Sequence, residues 1–250
     1  MTVDRQRVVD DTDQWLQASS FKDYGPNGLQ VEGRATLHNV VSGVTASLAL
    51  IEAAIEAKAD LIVVHHGLFW RGQDGRLTGW LGRRVQQLMR HDINLLAYHL
   101  PLDAHPEVGN NAQWGLRLGL GIEGRFGEQQ LGCWGTAAQP RLWPVWLEQV
   151  EQLTGRTPVG VAGDGRPLRR VAWCTGGAQG HFEAAIAAGA DLYLTGEISE
   201  PQAHLARETG VAYLACGHHA TERYGVQALG EHLARRFGLQ HRFIDLPNPA

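Results

Sequence analysis

Residues 53–66 read AAIEAKADLIVVHH and residues 184–197 read AAIAAGADLYLTGE; at a constant offset of 131, seven of the fourteen positions are identical. Nothing else in the chain constrains the fold as strongly, because self-similarity at a fixed spacing marks a repeated structural unit. The lead-ins match in kind, NVVSGVTAS before the first stretch and RRVAWCTGGAQG before the second. Each reads as a β-branched strand, a turn of small residues, an Ala-rich helix and a second strand entered through Ala-Asp-Leu. INLLAYHL at 93–100 then resembles VAYLACGH at 211–218 in order and pattern. Composition alone can make two Ala-rich stretches look alike, but a shared order of elements argues for duplication. Each copy is then strand-helix-strand-helix-strand, and such crossovers favour parallel, right-handed pairing.

The expected fold class is therefore α/β: two similar, duplicated three-layer units, interlinked in one chain. The first copy is expected over residues 1–119 and the second over 166–250, with 120–165 as a connecting section, and the copies can interlace into one unit. In that connection RLWPVWLEQVEQLTG predicts a helix, with Pro144 in its first turn and Leu147, Val150 and Leu153 as an apolar stripe. QHRFIDLPN is the expected last strand. The opening segment starts as a helix and passes into a loop at Tyr24-Gly25-Pro26-Asn27-Gly28.

Composition closes off some functions. A net charge of −4 over 250 residues argues against a dedicated nucleic-acid binder, which usually presents a strongly basic face. The three cysteines, Cys133, Cys174 and Cys216, are odd in number and lack CxxC spacing. Cys174 and Cys216 lie in apolar runs and read as small buried hydrophobes. No disulfide framework is implied, so the cytoplasm is the expected compartment. The N-terminal segment shows no apolar signal region, and no apolar run approaches ~20 residues, so no membrane span is expected.

Chemistry gathers at the ends of the predicted strands, where open α/β sheets place their sites. LIVV runs into His65-His66, INLLAYHL leads to Asp103, and VAYLACG leads to His218, with Glu222 four residues on. Five such ligands at three strand ends point to a metal centre able to hold two ions. Consecutive strand residues face opposite ways, so His65 and His66 reach a common centre by splaying where the strand breaks at Gly67, each toward a different ion. A structural histidine pair is the rival reading. His218 and Glu222 share one helix face at i, i+4 spacing, a spacing also common on solvated helices. Asp103 is a hard carboxylate for a His-rich site or a turn-forming Asp beside Pro101. His99 and His219 are rival or supporting imidazoles, and His105 is a weaker one. Glu197 matches His66 across the repeat and reads as an acid/base group or as a helix N-cap neighbour. The GGAQG turn at 176–180 offers backbone N–H groups to a phosphate but matches no nucleotide-binding motif. Trp70 is the tryptophan expected near the metals.

Together DYGPNGLQVEG, ADLIVVHHGLFWRG, AYHLPLDAHPEVGNN, DLYLTGEISE and GHHATERYGV resemble the GTP cyclohydrolase type 2 homologues, also called the NIF-three-like proteins, over nearly the whole chain. The resemblance implies a dinuclear metal site and a homo-oligomer, a toroidal hexamer with the sites facing an inner cavity. It implies that His65 and Asp103 bind one metal, His66 and His218 the other, and that Glu222 bridges both. The ligands then come from both copies, which puts the expected site in the cleft between them. Mixed N/O ligands suit Fe, Mn, Zn, Co or Ni. The leading functional reading is a metal-dependent hydrolase of a nucleotide-like or phosphorylated small molecule, with His99 or Glu197 shuttling protons. The alternative is a non-enzymatic metal-binding or regulatory protein that stores, senses or delivers metal. A plain Rossmann-type binder is disfavoured by the missing glycine fingerprint.

Overall fold

The computed structural model describes residues 2–250, and its fold is mixed α/β in two similar units. One unit comprises residues 2–109 with 225–247, the other 110–224 with 248–250.

The first unit is built on a five-stranded sheet in the order Gln240–Phe243, Asn39–Thr45, Leu61–His66, Asn94–Ala97, Gly28–Val31. The first four strands run parallel, and Gly28–Val31 closes the edge antiparallel to Asn94–Ala97. Alternation along the central strand decides the layering. Leu61 and Val63 enter one apolar cluster with Val8, Val40, Leu229 and Leu233. Ile62 and Val64 enter another with Leu50, Ile51, Val85 and Leu88. Helices therefore cover both faces, as buried parallel strands require. Each fully buried Val or Leu contributes about 1.5–3 kcal/mol. The segment 225–247 packs here through Val226, Leu229, Leu233 and Leu239, and its strand lies parallel to Asn39–Thr45. This unit is thus discontinuous in sequence.

The second unit has a six-stranded sheet in the order Gly124–Phe126, Gly132–Arg141, Leu168–Trp173, Leu192–Thr195, Ala212–Ala215, Val159–Val161. Its three central strands are parallel, like those of the first unit; Gly132–Arg141 and Val159–Val161 flank them antiparallel, and Gly124–Phe126 pairs antiparallel with Gly132–Arg141. Residues 124–141 and 159–161 thus supply three of its strands. The helix expected around Pro144 runs Trp143–Thr154, with the proline in its first turn and Gly155 as a left-handed cap. One face buries Trp114, Trp146, Trp173 and Leu194. On Leu192–Thr195 the intervening residue is Tyr193, which packs with Phe182 and Tyr213 at ring-centroid distances of 5.7 and 5.6 Å.

The repeated Ala-Asp-Leu has one structural job in both units. Asp60 Oδ2 accepts from the backbone N–H groups of His38 and Asn39, each at 2.8 Å. At the matching place, Asp191 Oδ2 accepts from Arg169 N at 3.0 Å and Arg170 N at 2.9 Å. An arginine completes each carboxylate, Arg34 on Asp60 and Arg166 on Asp191. The carboxylate thus pins the start of the preceding strand to the one it introduces. Among the described residues, no helix is long and apolar enough to cross a membrane.

Candidate metal centre

In the first unit the donors stand where parallel strands end. His65 is the fifth residue of Leu61–His66 and is fully buried. Its Nδ1 lies 2.9 Å from the Tyr98 carbonyl, which can only accept, so Nδ1 carries the proton and Nε2 presents a lone pair. That Nε2 lies 3.5 Å from Asp103 Oδ1. Asp103 sits on the short helix Leu100–Ala104 directly after the Asn94–Ala97 strand, and is itself buried. His66 is half-buried, with Nδ1 3.1 Å from Thr45 Oγ1. Where the strand breaks, the rings of His65 and His66 come round to within 4.6 Å of one another. His99, at the N-cap of the Leu100–Ala104 helix, has Nδ1 2.6 Å from Asp23 Oδ1. His65, His66 and His99 each offer a ligand atom, and the three atoms lie within 4.8 Å of one another.

The second unit brings its donors together at the equivalent strand end. Ala212–Ala215 passes through Gly217 into the helix His218–Phe237. His218 Nδ1 lies 2.6 Å from Glu197 Oε1, and His218 Nε2 lies 3.3 Å from Glu222 Oε2. Burial alone would lower the His218 pKa, but the Glu222 and Glu197 carboxylates outweigh it and raise it to about 9. An imidazole that attracts a proton so strongly between two carboxylates sits where a cation is favoured, and metal uptake there must displace that proton. Glu222 is 2% exposed, and a carboxylate so deeply buried needs a compensating partner. Glu197 also accepts from Gln179 Nε2 at 3.1 Å, and its backbone carbonyl accepts from the Tyr213 hydroxyl at 2.6 Å.

Gly176, at φ +71°, lies against this pair; a Cβ there would overlap Glu222 Oε1. Its N–H donates to Thr221 Oγ1 at 3.0 Å, and its carbonyl accepts from Thr195 Oγ1 at 3.1 Å. The GGAQG turn therefore packs against the carboxylate at a left-handed position that favours glycine.

The donor set fits a divalent metal. It is borderline nitrogen and hard oxygen, and His65, His66 and His218 each have an oxygen partner at Nδ1, the arrangement that fixes a ligand ring. Trp70 stands near His66 and His99, at ring distances of 5.9 and 5.1 Å. His105 is used locally: its Nδ1 accepts from Glu107 N and Val108 N, and its ring packs on Trp15. His219 lies half-buried in the first helical turn. Sequence reasoning missed the groups that hold these histidines: Asp23, Thr45 and the Tyr98 carbonyl on the rings, and Asn27 on the His99 backbone. Asp23 and Asn27 could have been suspected, since both flank a Gly/Pro turn inside the first recognised motif.

The pattern described as Duf34/NIF3 (NGG1p interacting factor 3) matches residues 3–249. A Pseudomonas aeruginosa protein called GTP cyclohydrolase 1 type 2 homolog is 51% identical, over all of both chains. A Neisseria meningitidis protein of the same description is 55% identical, over 94% of each chain. A solved Thermus thermophilus protein superposes with a TM-score of 0.89 at 37% identity, covering 99% of this chain and 100% of that one.

Proposed function

The chain belongs to the Duf34/NIF3 family, and on that premise we propose that it is a dinuclear metal-dependent hydrolase of a nucleotide-like or phosphorylated small molecule. In this reading His65 and Asp103 bind one divalent ion, His66 and His218 the other, and Glu222 both. The observation that carries it is the constraint on the imidazoles: Tyr98 O, Thr45 Oγ1 and Glu197 Oε1 each hold an Nδ1 and leave Nε2 as the coordinating nitrogen. Fixed ligands of this kind are preorganised, so little reorganisation accompanies binding.

Two bound ions would polarise an anionic substrate and lower the pKa of water, which is what hydrolysis at neutral pH needs. The residues of this chain supply the remainder. Asp103 and Glu222 offset part of the ionic charge, and His99 and Glu197 stand beside the donors as acid/base groups. The reading extends to a homohexamer in the cytoplasm, on the strength of the family resemblance and of three buried cysteines held outside any disulfide.

The test is a panel of nucleotides and phosphoesters offered to purified protein reconstituted with Mn, Zn or Fe. Turnover proportional to metal occupancy supports a hydrolase. Silence across the panel, with reversible tight metal exchange, would favour a protein that stores or delivers metal.

A further inference from the structure

Asp23 lies in a surface loop, yet its carboxylate is buried and saturated. Oδ1 accepts from His99 Nδ1 and from Tyr24 N, both at 2.6 Å. Oδ2 accepts from Leu100 N and from Asn27 Nδ2, both at 2.9 Å. Asn27 turns its own Oδ1 to His99 N at 2.8 Å, so the loop grips both the backbone and the ring of His99. A second loop laces the first in place: Arg71 Nη2 donates to Asp23 O at 2.7 Å, and Arg71 N donates to Tyr24 O at 2.6 Å. Such a network specifies one ring orientation. With a carboxylate on Nδ1, the neutral imidazole carries its proton there and presents the Nε2 lone pair.

That lone pair belongs to a ring 5.0 Å from His65 and 5.7 Å from His66, between centroids. The three imidazoles differ in access. The His65 side chain is fully buried, whereas that of His99 is 19% exposed while its anchor Asp23 is 3% exposed. His99 is therefore an imidazole beside the donors that a solute can reach, held by a carboxylate that it cannot.

We propose that Asp23 is a positioning residue and that His99, oriented by it, is a catalytic residue that meets the substrate's reacting water rather than a metal ligand. This rests on the hydrolase reading above. In the step, an O–H bond of water breaks and its proton passes to His99 Nε2, while the oxygen bonds to the electrophilic substrate atom. The same proton then leaves with the departing group, so no further reactant is needed. Asp23 keeps the Nδ1 proton in place throughout, as the carboxylate of a nucleophile-histidine-aspartate triad does.

The experiment uses full-length, zinc-loaded wild-type protein beside D23N, H99Q and H65A. D23N and H99Q are expected to keep wild-type zinc content by elemental analysis, while H65A loses zinc. On the panel compound that wild type turns over, both should lower kcat by ~10²–10⁴-fold with little change in KM. In ¹⁵N-histidine spectra, the signal absent from H99Q should report an Nδ1–H tautomer in wild type and a shifted equilibrium in D23N. Thermal melts check folding, and H99Q serves if D23N is unstable, because it leaves the Asp23 backbone bonds intact. Loss of zinc from H99Q equal to that from H65A, an Nε2–H tautomer in wild type, or an unchanged kcat would overturn the proposal. Zinc retained by H65A would instead overturn the ligand assignment, and wild type silent on the panel would overturn the hydrolase reading together with the role of His99.

Discussion

Both units enter their second parallel strand through Ala-Asp-Leu and leave it differently, His65-His66 in the first and Gly196-Glu197 in the second. At the entry, Asp60 and Asp191 make the same pair of bonds to the preceding strand's backbone. At the exit, the first unit offers two imidazoles, while the second offers a carboxylate that grips His218. The strand faces diverge as well. Ile62 packs in an aliphatic cluster, whereas its counterpart Tyr193 sends its hydroxyl to Ala178 O at 2.7 Å. The repeat has therefore kept the bonds that register its strands and changed the residues that end them. One echo survives at the exit, since each unit follows its third parallel strand with a histidine whose Nδ1 is held by a carboxylate at 2.6 Å, His99 by Asp23 and His218 by Glu197.

The largest expected contrast is between Gly176→Ala and Thr45→Ala, at matching places in the repeat. The alanine at 176 meets a left-handed backbone and overlaps Glu222. It should cost about 2–4 kcal/mol in denaturant melts and displace metal from the second unit's donors. Thr45→Ala removes one hydroxyl beside His66 and should cost about 1 kcal/mol or less. Equal costs would break the claim that close packing on Glu222 demands glycine at 176.

Asp60→Ala and Asp191→Ala test the shared staple. Asp60 is buried and holds two N–H groups and Arg34, so its loss should cost about 2–3 kcal/mol. Asp191 is half-buried and should cost less, about 1–2 kcal/mol. A larger loss at Asp191 would show that burial does not rank the two.

Acid should weaken the first unit through two half-buried imidazoles. Burial lowers the pKa of His241, which pairs with Ser42 Oγ at 2.8 Å, against a raising influence from Glu231. Burial likewise lowers that of His232, stacked on Trp15, with Arg235 and Arg236 adding to the effect and Asp11 and Glu107 opposing it. An unfolded imidazole takes up a proton near pH 6.5 that the folded one refuses. Stability is then full above that pH and declines as pH falls below it. His241→Asn should flatten the decline in urea titrations between pH 7 and about 5; an unchanged slope would remove His241 from the account.

The smallest effect lies at the helix ends, where Lys58 and Gly189 occupy matching left-handed positions at φ 55° and 77°. Lys58→Gly should stabilise by up to about 1 kcal/mol, and Gly189→Ala should destabilise by a similar amount. Melts in which both substitutions shift the same way would contradict that reading.

The parallel core was legible because its signals are local: β-branched runs, Ala-rich helices and an entry motif written twice. The helix around Pro144 was legible for the same reason. The clamps were not. Asp23 and His99 lie 76 residues apart, and nothing in a Gly/Pro loop says which strand end its carboxylate will meet. Glu197 reads in sequence as an acid/base group or a cap neighbour, because its bond to His218 depends on how two adjacent strands are registered. Residues 225–247 read as the tail of the second copy, yet they pack with residues 2–109, because pairing with Asn39–Thr45 is a long-range choice.

The central proposal is that His65, His66, Asp103, His218 and Glu222 serve one pair of ions. Its most direct test is metal stoichiometry, by elemental analysis after dialysis, of full-length wild type, His65→Ala and Glu222→Ala. The account predicts two ions per wild-type chain, loss of at least the ion assigned to His65 and Asp103 in His65→Ala, and loss of both in Glu222→Ala, with circular dichroism unchanged. A Glu222→Ala protein that still holds two ions, or a wild type that holds none, would contradict it.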